Sequence, residues 1–401
     1  MVARKRNVKE ASNGVRVDIG RPYFASDKNV IQDKLKVVEF GGGFNTFRGG
    51  KNFAKLFGKE AFTQAVSEAA ASLQQAFGLS KKDGLSLIER SGHLKSIRAY
   101  DAGVYRFLEG ISAESKVSVR DIVLALNDGI FFALGVHKHR DGVLRKLGLI
   151  KRGCTVVGFD NGIIGQNNDN PTRYSGSNVL VKSVDDRIML LTMGSPLVWL
   201  MGMSKNLAVV CNTIDAFFKG HSIEDGGIPD GVIVLNALLS LRTVDQVIER
   251  NRDTKMNVAL CLSFADRRGG LTSIEFNADQ FTGNIILRPK PGEHHLVHTN
   301  HPRFSEQYLI ETWFDGDKGK ANSMLANSLW RQEYAENWLR TSSMKSIDEL
   351  QYLMRSYPVL FPGADNLDFR TTVSVLWSIR EGTAYISPDR PDITEYEQVS
   401  F

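Results

Sequence analysis

The first part of the chain places apolar residues at helical spacing. Between residues 53 and 77, positions such as Phe57 and Leu73 recur on one face in a background rich in Ala, Gln and Glu, which predicts a helix. Further helices are expected over about 97–109 and from Ser118, which has an acidic residue three positions on, as in a capping box. The N-terminal third of the chain is therefore expected to be mostly helical.

From about residue 154 the pattern changes to short apolar runs separated by turn residues, which predict strands. Helices are expected between and after these runs, over about 229–251, 322–341 and 346–357, and the aromatic residues Trp330, Tyr334 and Trp338 are expected to pack in the core. The predicted strands are TVVGF, GIIGQ, SNVLVKS, RIMLLTM, LAVVCNTI, NVALCLSF, LTSIEFN, GNIILRP, TTVSVLWSI and GTAYISP.

This order of strands, helices, strands, helices and strands is typical of the α+β class. It predicts two antiparallel sheets sandwiched between helical layers.

The composition is that of an ordinary globular protein, with 401 residues of which 42% are hydrophobic and 24% charged. The formal net charge of +5 is spread along the chain, so no nucleic-acid partner is expected. The three cysteines Cys154, Cys211 and Cys261 form no CxxC pair, which indicates a reducing compartment. We therefore expect a cytoplasmic protein without disulfides.

No membrane partner is expected either. The basic start of the chain is followed by no apolar segment of the kind found in secretory signals. The longest uncharged run, residues 188–204, has Gly194, Ser195 and Pro196 in its middle. This interruption predicts two buried strands joined by a turn.

The motifs of common cofactor and metal sites are missing. The sequence has no Gly-x-Ser-x-Gly elbow, Walker loop, HExxH pair or complete dinucleotide fingerprint. Four histidines lie close together, but alternation along a strand would divide them between two faces. They are His294, His295, His298 and His301. Neither a metal nor a cofactor is expected.

Cys154 is the candidate for chemistry. It follows Gly153 at the point where the helix-rich part ends and the strands begin. If the Gly153–Cys154 bond is cut, Cys154 gains an α-amine with a pKa of about 7.7–8.0 beside a thiol of about 8.5, so the amine can take the thiol proton. Glycine leaves the carbonyl of that bond unshielded. Taken alone, a cysteine in an apolar context is more often an inert buried thiol.

Four short motifs occur in a familiar order along the chain. They are Gly153-Cys154-Thr155, the segment 165–169 (GQNND), the segment 298–301 (HTNH) and the segment 369–372 (FRTT). In this order they resemble the isopenicillin-N (acyl-CoA:6-aminopenicillanate) acyltransferase family of N-terminal-nucleophile hydrolases, related to choloylglycine hydrolase and penicillin V acylase. The resemblance implies an αββα sandwich and an inactive precursor that cuts itself before Cys154.

The same resemblance implies a role for each site residue. Cys154 is the nucleophile, and Asp169 holds and orients its new α-amine. Asn300 donates its side-chain amide to the oxyanion, and Asn212 supplies a second oxyanion contact. Arg370 lies near the thiolate and favours its ionised form. Taken singly, these residues are ordinary turn, cap and strand-edge residues.

The expected organisation is a helix-rich pro-segment or α-chain (1–153) and a β-chain (154–401) carrying the αββα core, which stay associated after cleavage as one compact domain. The expected function is that of a self-processing cysteine hydrolase of a linear amide bond in a non-peptide or small N-acyl amine or amino acid, with or without acyl transfer. Its partner is a small-molecule amide or acyl donor. Asn168 and Asn170 depart from the family pattern, so a β-lactam substrate is not implied.

Two alternatives stay open. One is an acyl-CoA-dependent N-acyltransferase, which shares the acyl-enzyme with the hydrolase. The other is a non-catalytic binding protein of the same fold that is left unprocessed. The sequence does not decide whether the chain forms a homo-oligomer.

Overall fold

The computed structural model describes 307 of the 401 residues, in ten segments. They are residues 8–10, 16–18, 34–127, 153–214, 227–256, 260–279, 283–303, 318–341, 346–363 and 370–401.

Nine α-helices lie within these segments. They are α1 (Phe47–Phe77), α2 (Lys81–Arg90), α3 (His93–Tyr100), α4 (Ala102–Ser115), α5 (Val119–Leu126), α6 (Asp230–Ser240), α7 (Val244–Asn251), α8 (Lys318–Thr341) and α9 (Ile347–Arg355).

Local capping explains where the N-terminal helices begin and end. Ser118 accepts a hydrogen bond from the backbone N–H of Asp121 at the start of α5, so the expected N-cap is confirmed. The helix expected over 97–109 is instead divided between α3 and α4. Asp101 is extended there and its carboxylate accepts the N–H groups of Gly103 and Val104, which starts a new helix.

The strands form two large sheets and one small hairpin. The strands are β1 (Val8–Glu10), β2 (Arg16–Asp18), β3 (Lys36–Phe40), β4 (Thr155–Phe159), β5 (Ile163–Asn170), β6 (Val179–Ser183), β7 (Ile188–Thr192), β8 (Trp199–Ser204), β9 (Leu207–Thr213), β10 (Leu260–Asp266), β11 (Leu271–Asp279), β12 (Gly283–Leu287), β13 (His295–His298), β14 (Arg370–Ser378), β15 (Thr383–Ser387) and β16 (Glu397–Ser400).

The larger sheet has eight strands in the order β12-β11-β10-β9-β8-β7-β6-β3, and the smaller has six in the order β13-β4-β5-β14-β15-β16. Every pairing in them is antiparallel except one. β3, which comes from the part of the chain expected to be helical, pairs in parallel with β6. The prediction of two antiparallel sheets thus holds apart from this one edge strand.

Three hydrophobic cores stack the layers. Helices α1 to α7 pack on the outer face of the eight-stranded sheet, the two sheets pack face to face, and α8 and α9 cover the six-stranded sheet. Along β9, Val209 faces the helices while Ala208 and Val210 face the other sheet, as the alternation of a strand requires. The chain has an αββα sandwich, which confirms the predicted fold class.

Strand register brings the predicted motifs to one end of the sandwich. β14 lies beside β5 with Thr371 opposite Asp169, and β4 lies between β5 and β13 with Val156 opposite His298. The end of β9 at Thr213 lies at the same end, because it is hydrogen-bonded to Asn300. This end of the sandwich is called the Cys154 end below.

No helix in the described segments is both long enough and apolar enough to cross a lipid bilayer.

An aromatic cluster fastens the N-terminal helices to the eight-stranded sheet. The ring of Phe53 in α1 lies 5.3 Å from that of Phe107 in α4 and 6.2 Å from that of Trp199 in β8, measured between centroids. All three side chains are buried. The cluster joins residues on both sides of the Gly153–Cys154 bond, so it is expected to hold the two parts together by burial alone.

Phe53→Ala should therefore lower the free energy of unfolding by about 3–5 kcal/mol, because it removes a fully packed ring and leaves a cavity. The matched control is Phe47→Ala in the same helix, where the ring is 46% exposed and the expected change is within about 0.5 kcal/mol. Urea unfolding followed by circular dichroism measures both. Equal shifts in the two variants would contradict the role given to the cluster.

Candidate active site

Cys154 lies at the edge of the space between the two sheets. It stands two residues before Val156, whose side chain belongs to the core between the sheets, and it is 7% exposed. Its thiol is hydrogen-bonded by the side chain of Gln166 and by the backbone N–H of Asp169. Gln166 also bridges the sheets, since its amide oxygen accepts from the backbone N–H of Cys211 at 3.0 Å and its amide nitrogen donates to the Cys211 carbonyl.

The surroundings of Cys154 keep its thiol protonated in the uncut chain. Burial, and then the negative charge of Asp169, raise the pKa of the Cys154 thiol to about 12. The hydrogen bonds from Asp169 and Gln166 and the positive charge of Arg331 act in the opposite direction but are weaker. The uncut thiol is therefore neutral at physiological pH.

Arg331, in α8, is a buried cation that the sequence did not single out. It is 2% exposed, and its Nη1 donates to the Cys154 carbonyl at 2.7 Å and to the Thr155 hydroxyl at 2.9 Å. Its Nη2 donates to Oδ1 of Asn300 at 2.7 Å. One planar guanidinium thus fixes the backbone of Cys154 and the side chain of Asn300 together.

Asn300 lies directly against Gly153. A methyl group placed on the α-carbon of Gly153 would lie 2.2 Å from Oδ1 and 2.6 Å from Nδ2 of Asn300, so any larger residue there would force Asn300 to move. In this state Nδ2 donates to the carbonyl of Thr213 at 2.9 Å and to its hydroxyl at 3.2 Å. The side-chain amide of Asn300 is therefore in contact with the residue that precedes the nucleophile.

Asp169 is buried beside Cys154, as its effect on the thiol requires. Its Oδ1 accepts a hydrogen bond from the Thr371 hydroxyl at 2.6 Å. The strand pairing of β5 with β14 places Thr371 opposite Asp169. This carboxylate is in position to meet an ammonium group on Cys154.

Asn212 projects between the sheets and contacts the segment that carries Asn300. Its amide nitrogen donates to the carbonyl of Thr299 and lies 2.9 Å from Nδ1 of His298. The defined donation of this amide is to residue 299, one residue short of Asn300. Asn212 therefore holds in place the backbone next to Asn300.

His298 belongs to a buried polar group. Its Nε2 lies 2.7 Å from Oε1 of Glu275, and both side chains are fully buried. Burial lowers the pKa of His298, but the interactions with Cys261 and Glu275 outweigh it and raise that pKa to about 10. The same carboxylate oxygen accepts the backbone N–H of Arg303 at 2.8 Å. This group holds β13 and the turn after it against β11.

Arg370 lies on the β14 strand beside the site but directs its guanidinium elsewhere. Nη2 donates to Oδ2 of Asp389 at 3.0 Å, and both Nε and Nη2 donate to the Ser175 hydroxyl. The positive charge that lowers the pKa of Cys154 is that of Arg331. Phe369, the first residue of the FRTT motif, lies outside the described residues.

The histidines of this cluster contact different partners. His294 is exposed and lies 2.6 Å from the Asp160 carboxylate, His298 pairs with Glu275, and Nδ1 of His301 lies 2.9 Å from the Ser328 hydroxyl. Among the residues that the structure describes, no group of three or more His, Cys, Asp or Glu side chains is placed to hold a metal ion.

Comparison with known proteins gives structural likenesses only. No protein-family model matches the chain, and no curated protein matches its sequence. A solved ortholog of N-acylethanolamine-hydrolyzing acid amidase from Caenorhabditis elegans is similar with 15% identity and a TM-score of 0.43, over 62% of this chain and 100% of that one. Two variants of conjugated bile acid hydrolase from Clostridium perfringens are similar with 13% and 14% identity and TM-scores of 0.40, over 62% of this chain and 97% of theirs. Likenesses at these values give no information about the reaction of this chain.

Two members of the site had no role in the sequence prediction. Gln166 lay inside a quoted motif, but nothing in the pattern indicated that it bridges the sheets. Arg331 follows Trp330 in a helix, and a helical pattern gives no sign that a charged residue will be buried against a strand 177 positions earlier. The spacing of Asn327 and Arg331, whose side chains bond at 2.9 Å, indicates only an ordinary helix pair.

In the uncut chain at pH 8, iodoacetamide should modify Cys154 about 10³-fold more slowly than a free cysteine, because a thiol of pKa about 12 is rarely ionised there. The rate should rise about tenfold per pH unit from pH 8 to 10, whereas a free cysteine levels off above about pH 9. Peptide mapping by mass spectrometry measures the modification. The urea-unfolded chain is the control, and an equally fast reaction in the folded chain would contradict the burial of the thiol.

Proposed function

We propose that this protein is a self-processing cysteine amidohydrolase. It cuts its own Gly153–Cys154 bond and then uses Cys154 as an N-terminal nucleophile against a linear amide bond of a small molecule. The two parts of the chain remain associated after the cut, held by the aromatic cluster described above.

One observation carries this proposal. The residue before the cysteine packs against Asn300, while a single buried arginine binds both the Cys154 carbonyl and Asn300. A hydrogen-bond donor that touches the residue bearing a scissile carbonyl can stabilise the oxyanion that forms on it. A cysteine serving only as packing needs neither arrangement.

The cleavage step follows from these contacts. The Cys154 sulfur attacks the Gly153 carbonyl carbon, and the negative charge moves to the carbonyl oxygen. The proton that the thiol gives up in this step is the one that the Cys154 nitrogen receives as it leaves. One N–H of Asn300 turns from Thr213 to that oxygen. The C–N bond then breaks as the Cys154 nitrogen takes a proton, leaving a thioester, and water hydrolyses the thioester to a Gly153 carboxylate and a free Cys154.

The mature enzyme uses the new α-amine. It takes the thiol proton, and the Asp169 carboxylate holds the ammonium that results. The thiolate attacks the substrate carbonyl, Asn300 stabilises the oxyanion, and the ammonium gives its proton to the leaving amine. Water, activated by the same amine, then releases the acid. An acceptor amine in place of water would give acyl transfer.

Intact-mass measurement tests the first step. Cleavage of the 401-residue chain gives fragments of 153 and 248 residues, about 17 and 27 kDa if the 44.6 kDa divides by length. Cys154→Ala should remain uncut. Cys211→Ala is the matched control and should cut normally, since that thiol faces the helical layer. A folded wild-type chain that stays intact would support the unprocessed binding protein.

Gly153→Ala should slow self-cleavage by at least about 10²-fold, because the added methyl group displaces Asn300 from the oxyanion position. Gly41→Ala is the control, since the nearest atom to its added methyl group is 3.8 Å away. The time course of fragment appearance after synthesis in a cell-free system measures both. Cleavage of Gly153→Ala at the wild-type rate would show that Asn300 has no part in the step.

A panel of acyl amides distinguishes the remaining functions. The cut enzyme should release acid from N-acyl amines or N-acyl amino acids in water without a further donor. Activity that appears only when an acyl-CoA is added would support the N-acyltransferase instead. Each assay uses the Cys154→Ala chain as the background.

A further inference from the structure

A polar cavity lies at the end of the sandwich opposite Cys154. It has a volume of about 340 Å³ and is lined by four cationic side chains, Arg187, Lys205, Arg267 and Arg380. Glu381 is the one acidic side chain among its lining residues. The five residues of β4 separate this end from Cys154 by about 17 Å, so the cavity is separate from the site described above.

The four cations come from four different turns. Arg187 precedes β7, Lys205 joins β8 to β9, Arg267 follows β10, and Arg380 follows β14. Both sheets therefore contribute to the cavity. Within the described part of the chain, none of the four side chains forms an ion pair.

The backbone at Arg187 has a defined conformation. Arg187 adopts the left-handed conformation at φ 52°, which is uncommon for a residue other than glycine. Its guanidinium lies 5.7 Å from the centre of the Phe401 ring. The ring forms a wall of the cavity beside this charge.

Arg380 is positioned by neighbouring turns. Its Nε donates to the carbonyl of Arg267 at 3.4 Å. Methyl groups added at Gly162 and Gly269 would lie 3.5 Å from its Cγ and 3.7 Å from its Nη2. The side chain therefore lies along these two turns, and its remaining donors are available to a ligand.

We propose that this cavity binds a small polyanion that carries at least two phosphate groups. Unpaired cations gathered in one concavity repel one another, and an anion that bridges them removes this repulsion. Arginine forks suit phosphate oxygens in particular. The cations stand on four separate turns around a volume of about 340 Å³, which lies within the range of small-ligand sites and has room for more than one phosphate. The proposal does not depend on the reaction of Cys154.

Isothermal titration of the full chain with inorganic pyrophosphate, at low ionic strength, tests the proposal. We expect saturable binding that weakens as salt is added. Arg380→Gln and Arg267→Gln should each weaken it about tenfold or more. Glu381→Gln should strengthen it several-fold, because it removes the one carboxylate side chain facing the anion. Arg120→Gln, an exposed arginine in α5, is the matched control and should bind as the wild type.

A parallel titration with ADP identifies the source of the phosphates. Tighter binding of ADP than of pyrophosphate would indicate a nucleotide, and the reverse would indicate an inorganic diphosphate. Cys154→Ala should bind as the wild type, so failure of the proposed amidase leaves this result unchanged. Absence of saturable binding of either compound at 10 mM, or equal affinity in Arg380→Gln and Arg120→Gln, would overturn the proposal.

Discussion

The candidate site depends on one buried guanidinium. Arg331 carries a full positive charge into a place where it is 2% exposed, which is costly unless its donors are satisfied. Its partners are the Cys154 carbonyl, the Thr155 hydroxyl and the amide oxygens of Asn300 and Asn327. Because these acceptors belong to three separate segments, the cost of burying the charge is offset only when Cys154, Asn300 and α8 are all in place.

The space between the two sheets is apolar along most of its length and polar at the Cys154 end. Most of the space between the sheets is apolar, but at the Cys154 end the inward positions carry Gln166, Asn212, Glu275 and His298. A buried polar group is tolerated only with its hydrogen bonds made, and here the two sheets supply partners for each other. The polar end therefore fixes how the sheets face one another, while the apolar part supplies most of the burial.

The sequence predicted what local pattern controls. Alternation and turn residues predicted most of the strands from β4 onwards but not β16 (Glu397–Ser400), and the cap at Ser118 was found because capping involves neighbours only. β3 was missed because a parallel edge strand gains its partner from β6, more than 130 positions later. The aromatic stripe in α8 was read as core, yet Trp330 is 46% exposed while the adjacent Arg331 is buried. Arg331 is buried in place of its aromatic neighbour because its hydrogen-bond partners lie in distant parts of the chain. No local pattern in the sequence contains that information.

The same surroundings have opposite effects before and after a cut at Gly153. In the intact chain, burial and the Asp169 carboxylate hold the thiol in its neutral form. A free α-amine at Cys154 would add a base within the same residue and, once protonated, a positive charge between the carboxylate and the sulfur. The carboxylate that suppresses the thiolate in the precursor then stabilises the ammonium that accompanies it. Under the proposed cleavage, a single arrangement of side chains would thereby keep the precursor inert and prepare the processed chain for catalysis.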